Sequence, residues 1–225
     1  MAKGQESIAI VHTSFALVEV LGALVEELLP DVRCINIIDD SLLADVMREG
    51  KVCTDVARRM CQYFLAAEEA KAGAVLNACS TVSETVDIAR PLLRIPIIKV
   101  DEPMAELAVQ TGERIGVVAT VPTTIGPTCR LIERKAKELN KQAAISSSLL
   151  EGGFELLMAG QKEKHDKSLM QLIKEVAQQN DVVVLAQASM ARLMPQLDEN
   201  LRHKVLSSPR SGMEAVKQAL HKRGH

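Results

Sequence analysis

Aromatic side chains are nearly absent from this chain, which has one Tyr, three Phe and no Trp in 225 residues. Proteins that hold single strands stack bases on such rings, and duplex binders need a basic face. With a net charge of −2, nucleic acid is not an expected partner. No apolar run approaches the ~20 residues that span a bilayer, so a membrane is not expected either. The first residues, Met1 to Glu6, lack the apolar stretch of a signal peptide. Five cysteines at 34, 53, 61, 79 and 129 form no CxxC pair and have no histidine at ligand spacing, which speaks against zinc or another bound metal. Scattered and odd in number, they fit a reduced, cytoplasmic protein without disulfides. Neither GxxxxGK[ST] nor GxGxxG occurs, which argues against a nucleotide-phosphate loop.

What is present is a repeat. Ile8-Ala9-Ile10-Val11-His12-Thr13-Ser14 reads as an apolar strand entering a polar turn, and Ile115-Gly116-Val117-Val118-Ala119-Thr120-Val121 does the same 107 residues later. Ser41-Leu42-Leu43 recurs as Ser148-Leu149-Leu150 at the same offset. Val75-Leu76-Asn77-Ala78-Cys79-Ser80 aligns with Leu185-Ala186-Gln187-Ala188-Ser189-Met190 at an offset of 110, which pairs Cys79 with Ser189.

Apolar strands alternate with helical patterns throughout. Strands are expected at Ile8–Val11, Val32–Ile38, Gly73–Asn77, Ile95–Val100, Arg114–Ala119, Gln142–Ser146, Asp181–Ala186 and Lys204–Leu206. Helices are expected at Phe15–Leu29, Val52–Lys71, Ser83–Leu92, Pro127–Leu139, Gly153–Ala159, Lys164–Gln179 and Ser211–Lys222. This alternation predicts an α/β protein of parallel sheets covered on both faces by helices, and the repeat predicts two Rossmann-like lobes with a site in the cleft between them. Lobe one is expected to be 1–100 completed by 207–225, and lobe two 101–206.

Ligands bind at the carboxyl ends of parallel strands. Four segments lie there: His12-Thr13-Ser14, Asn77 to Thr81, Thr120 to Thr124, and Gln187 to Met190. They are rich in hydroxyls and amides and poor in carboxylates, which suits a small carboxylate ligand, with phosphate as the rival anion. Cys79 stands where a strand hands over to a helix, a position that lowers a thiol pKa; the other reading is that it is simply buried, as free cysteine commonly is. Ser189 stays protonated at neutral pH and sits in no G-x-S-x-G elbow, so it donates a hydrogen bond, relays a proton, or is merely small. His12 orients a substrate or satisfies its own strand end. Asp39 and Asp40 read as helix caps, and Glu151 and His165, in the lobe-two region where a titratable helper could act, read first as solvated surface. Cys34, Cys53, Cys61 and Cys129 read as core.

At these residues the chain resembles the Asp/Glu racemase superfamily, which includes aspartate, glutamate and hydantoin racemases, maleate cis–trans isomerase and arylmalonate decarboxylase. The resemblance rests on Asn77-Ala78-Cys79-Ser80-Thr81, on Ala119-Thr120-Val121-Pro122-Thr123-Thr124 and on Leu185-Ala186-Gln187-Ala188-Ser189-Met190. It implies two pseudo-symmetric lobes, no cofactor, a homo-oligomer (commonly a dimer), and two cysteines that exchange a proton with the substrate's α-carbon. By position Cys79 takes the first cysteine's role. Ser80, Thr81, Thr123 and Thr124 would hold carboxylate oxygens, with Thr13, Ser14, Asn77, Thr120, Gln187 and Met190 lining the site. The departure is Ser189, aligned with the second cysteine. Three activities are compatible with this pattern: a cofactor-independent racemase or isomerase of an aspartate- or glutamate-like acid, a decarboxylase or other lyase of a small diacid or hydroxy acid, or a non-catalytic carboxylate sensor.

Overall fold

A computed structural model describes residues 6–223. Eight strands are present: β1 Ser7–His12, β2 Arg33–Ile38, β3 Ala74–Asn77, β4 Ile97–Lys99, β5 Arg114–Ala119, β6 Ala144–Leu149, β7 Val182–Leu185 and β8 Val205–Leu206. The helices are α1 Val18–Leu28, α2 Ser41–Glu49, α3 Thr54–Glu69, α4 Thr85–Ala89, α5 Glu102–Thr111, α6 Pro122–Glu138, α7 Gly153–Met158, α8 Lys162–Gln179, α9 Glu199–Arg202 and α10 Ser208–Arg223. Short 3-10 segments come after β1, β3, α4 and β7, the last over Ala188–Gln196. Among the described residues no helix is long and apolar enough to cross a membrane.

The strands form two four-stranded sheets, ordered β2-β1-β3-β4 and β6-β5-β7-β8, and every pairing is parallel. The chain divides into two compact units, Met1–Val100 with Pro209–His225, and Asp101–Ser208. In unit one, Ala9, Val11 and Val75 face a core shared with Leu42, Val46, Met60, Phe64 and Val86, from α2, α3 and α4. In unit two, Ile115, Val117 and Val184 face Met104, Ala108, Leu131 and Ile132, from α5 and α6. On the opposite face Val118, Val183 and Leu185 meet Leu169 and Ile173 of α8 and Leu193. Central strands are thus apolar on both faces, as parallel strands under helices must be.

Several boundaries differ from the sequence pattern, each for a local reason. Helix α6 starts at Pro122 rather than Pro127. Proline at the first helical position has its φ preset and lacks only an N–H that would have no partner there. Pro127 then sits inside the helix. The expected helix over Ser83–Leu92 is broken into the short α4 and a 3-10 turn at Arg90–Leu92, because Pro91 has no N–H to continue the α-helical ladder. Likewise Phe15–Leu17 is a 3-10 turn ahead of α1. Helix α5 and the segment Ala188–Gln196 have no counterpart in the predicted elements.

The repeat itself needs two corrections. Strands β1 and β5 match at the expected offset of 107. Ser41-Leu42-Leu43 opens α2, however, whereas Ser148-Leu149 closes β6; the recurrence joins unlike structures. In register, Arg33 and Ala144 are the equivalent positions, 111 apart. For the third strand, Ala74 beside Ile8 corresponds to Val182 beside Ile115, an offset of 108 rather than 110.

Glycine at 116 is explained by helix packing. A Cβ there would press into Val176 Cγ1 and lie 2.8 Å from Asn180 Nδ2. Asn180 cannot easily yield, since it donates to the Val176 carbonyl at 2.8 Å and accepts from Ser146 Oγ at 3.1 Å. Gly116→Ala is expected to destabilise the protein by roughly 1–3 kcal/mol through overpacking. Urea denaturation measures it; a variant as stable as the wild type would contradict the close approach.

Candidate active site

Loops leaving the carboxyl ends of adjacent parallel strands are neighbours. In unit one β1 lies against β3, which brings His12, Thr13 and Ser14 beside Asn77, Cys79, Ser80 and Thr81. His12 is buried, and its Nε2 lies 2.9 Å from Asn36 Oδ1. Burial holds its pKa below the ordinary value and the Asn36 hydrogen bond offsets this only in part, so the ring is neutral. With Nε2 donating to the Asn36 oxygen, Nδ1 is left as a bare acceptor, and it is buried without a protein partner. Asn77 Nδ2 donates to the Cys79 carbonyl at 3.0 Å, which pins the turn. Asn77 Oδ1 and Ser80 Oγ are buried and unpartnered. Each such group carries a desolvation cost of about 1–3 kcal/mol.

Cys79 is half-buried. Burial raises its pKa, and hydrogen bonds from the Thr13 hydroxyl, the Val82 and Thr81 N–H groups and the Thr81 hydroxyl pull it part of the way back. The expected lowering by an adjoining helix is therefore overturned. Cys79 leads into a three-residue 3-10 turn, Ser80–Val82, and then the five-residue α4, too short to supply the field of a full helix.

Unit two repeats this construction. The Ala78 N–H donates to the Val11 carbonyl, and the Ala186 N–H to the Val118 carbonyl. The next residue in each unit caps a 3-10 segment in extended backbone: Cys79 at φ −128°, ψ 117° and Gln187 at φ −116°, ψ 127°. The position equivalent to Cys79 is therefore Gln187, which corrects the alignment with Ser189. By the same offset Ser189 corresponds to Thr81. A threonine contact is also repeated: Thr13 bonds Cys79, and Thr120, its equivalent, accepts from Gln187 Nε2 at 2.9 Å. Gln187 Oε1 accepts from the Thr120 N–H at 2.6 Å and the Val121 N–H at 3.1 Å.

The remaining candidates separate by whether their one hydroxyl proton is already committed. Thr124 donates to the Val121 carbonyl at 2.7 Å as part of the first turn of α6, so it has no proton left for a ligand. Thr123 Oγ1 is buried and unpartnered. Met190 is 2% exposed and belongs to the core around Leu193 and Leu169; its expected place in the site is corrected to a packing role.

The sequence pattern also missed three charged clusters. Lys99 ends β4 in register with Asn77, and its buried Nζ donates to Asp87 Oδ2 at 2.6 Å. Its signal in the sequence was a lysine closing the apolar run Ile97-Ile98. His165, expected at the surface, is buried instead, with Nδ1 2.8 Å from Asp166 Oδ1 and Arg192 bonded to Asp166. At the end of β2, Asp39 accepts from Ser41 N–H and from Tyr63 at 2.5 Å, and pairs with Arg59. Asp39 thus supplies the side-chain bond at the start of α2, while Asp40, in the cap position, makes none.

Depressions near Glu68, Gly73 and Ile95 in unit one, and near Gly112, Glu113 and Lys141 in unit two, lie at the amino ends of strands and hold none of the candidate residues. Among the described residues no three His, Cys, Asp or Glu side chains cluster as metal ligands.

The sequence model of the Asp/Glu/Hydantoin racemase family matches residues 8–216. Among solved structures, allantoin racemase from Klebsiella pneumoniae superposes with a TM-score of 0.72 at 17% identity, covering 97% of this chain and 89% of that one. Glutamate racemase isoform RacE1 from Bacillus anthracis gives 0.71 at 18% identity over 97% and 83% of the two chains. Aspartate racemase from Picrophilus torridus gives 0.69 at 14% identity over 97% and 94%. At these identities the structures establish the fold. No curated protein sequence matches the chain.

The environment of Cys79 has a measurable consequence. Its iodoacetamide alkylation is expected to have a midpoint pH above that of a free thiol, about 8.5. Thr13→Val removes a hydrogen bond that favours the thiolate and should raise the midpoint further. Peptide mapping by mass spectrometry reads the site; a midpoint below the free thiol would show that burial does not dominate.

Proposed function

This chain belongs to the Asp/Glu/Hydantoin racemase family, and on that premise we propose that it is a cofactor-independent racemase or isomerase of a small, aspartate- or glutamate-like carboxylate. Cys79 is the main acid/base in this reading; Gln187 holds the second position, and Ser189 stands two residues beyond it. The observation that carries it is the setting of Cys79: a strand-end thiol that accepts hydrogen bonds from Thr13, Thr81 and Val82, beside the unpartnered Ser80 hydroxyl and Asn77 amide oxygen.

The chemistry rests on these groups. The Cys79 thiolate takes the α-proton, so a C–H bond breaks and an S–H bond forms. The electron pair passes into the substrate carboxylate as enediolate-like charge. Hydroxyls with an uncommitted proton stabilise that charge as it develops, and among the candidates Ser80 and Thr123 are buried without a protein partner. The electron pair then re-forms a C–H bond: the thiol returning its proton restores the starting enantiomer, whereas a solvent proton on the opposite face, with the thiol losing its own to water, gives the inverted one. Ser189, whose hydroxyl stays protonated, acts by hydrogen bonding. His12, neutral and with Nδ1 as an acceptor, suits an ammonium or amide N–H on the substrate.

The test is deuterium entry at the α-carbon in D2O, monitored by NMR, on single enantiomers of aspartate, glutamate and allantoin. Cys79→Ser is expected to slow exchange by about 100-fold or more, the scale of general acid/base catalysis. Because burial raises the thiol's pKa, the thiolate is the minor form at neutral pH. The rate should therefore climb about tenfold per pH unit below that pKa. Exchange that persists undiminished in Cys79→Ser would sink the reading.

A further inference from the structure

We propose that Gln187 makes proton transfer by this chain one-sided, because it fills the position that duplicates Cys79 with a group that has no titratable proton. The inference rests on the function proposed above. Inverting an α-carbon requires a proton removed from one face and one delivered to the other, hence two carriers. A duplicated fold supplies two equivalent strand ends for them. One holds the Cys79 thiol, and sheet register places Gln187 at the other.

Two observations beyond register support the equivalence. Both residues cap a 3-10 segment with nearly the same backbone angles. Both also contact the threonine that ends the neighbouring strand turn, Thr13 in one unit and Thr120 in the other.

A carboxamide neither ionises nor exchanges its role between acid and base near neutral pH. Its two ends are moreover occupied by the protein: Oε1 by the Thr120 and Val121 N–H groups at 2.6 and 3.1 Å, Nε2 by Thr120 Oγ1 at 2.9 Å. Gln187 is thus a positioning residue that braces the turn ahead of α6. Ser189 cannot replace it as a carrier, since a hydroxyl holds its proton at neutral pH. The buried imidazole of unit two, His165, has Nδ1 committed to Asp166 beside Arg192 and Nε2 enclosed without a partner, so His165→Gln is the control that separates a histidine carrier from none. The Cys79 thiol therefore takes a proton from one face and returns a proton or a solvent deuteron to that same face. The S–H bond that formed breaks again, and configuration is retained in most turnovers, so that racemisation lags exchange.

The experiment compares α-deuterium entry by NMR with optical rotation by circular dichroism, on the same single enantiomers in D2O. In the wild type, rotation is expected to decay at least about tenfold more slowly than deuterium enters. In Gln187→Cys the two rates should converge, as a second thiol opens the other face. Wild-type rotation falling as fast as deuterium enters would overturn the proposal, with no variant needed. Exchange surviving in Cys79→Ser would instead overturn the function itself. An arm without substrate uses iodoacetamide on Gln187→Cys: the introduced thiol should titrate above a free thiol, as Cys79 does. Alkylation there like an exposed surface thiol would overturn the equivalence, whether or not any acid is turned over.

Discussion

In each sheet one parallel pairing positions the candidate residues: β3 lies directly against β1, and β7 against β5. A parallel strand sends its chain out at the same edge as its neighbour, so the loops after two adjacent strands must meet. Burial on both faces makes that pairing hard to slip. A shift of one residue would turn Ala9, Val11 and Val75 out of the core they share with Phe64 and Met60, and every strand-end side chain would move to the wrong face with them. The placement of Cys79 beside Thr13, and of Gln187 beside Thr120, is thus a consequence of core packing several residues away.

Given that placement, the character of the site is decided by who owns each proton. Thr13 and Thr81 spend theirs on Cys79, and Thr124 spends its own on a helix turn. Ser80 and Thr123 do not, and the Asn77 oxygen and His12 Nδ1 remain as buried acceptors. A row of hydroxyls in the sequence therefore resolves into some that tune a thiol, some that cap backbone and some left without a protein partner. The same accounting explains why burial outweighs hydrogen bonding at Cys79. The donors to sulfur compensate for removal from water, but no cation stands among the groups that shift it.

The layered α/β fold and its eight strands were legible because apolar runs between turn residues have no other stable use. The strand ends were legible as a consequence of parallel pairing. Other features depended on contacts that sequence spacing does not contain. The burial of His165 depends on Asp166 and Arg192, 27 residues further on in the case of the arginine. Burial, with only a 3-10 turn after Cys79 to oppose it, reversed the expected direction of its pKa. Met190 looked like a site residue by proximity, but a residue step in a 3-10 segment swings it into the core. Ser-Leu-Leu recurred by chance at the offset of the true repeat, and the alignment on Ala-Cys and Ala-Ser slipped by two. Short motifs cannot tell such slips apart, whereas ladder hydrogen bonds can.

That slip of two residues changes the meaning of the duplication. With Ser189 as the partner of Cys79, the second unit would offer a weak hydroxyl where a thiol could stand, a defect in an otherwise symmetric device. With Gln187 there, the second unit offers a group that makes four hydrogen bonds to the turn after the neighbouring strand β5. Hydrogen bonds of this kind contribute roughly 1 kcal/mol each, so the position has been given to stabilising the loop that carries Thr123. The asymmetry then has a physical logic: one copy of the strand end keeps a proton carrier whose pKa is set by burial, and the other keeps a rigid turn whose donors hold charge. Duplication supplies the two positions, and side-chain chemistry assigns them different work.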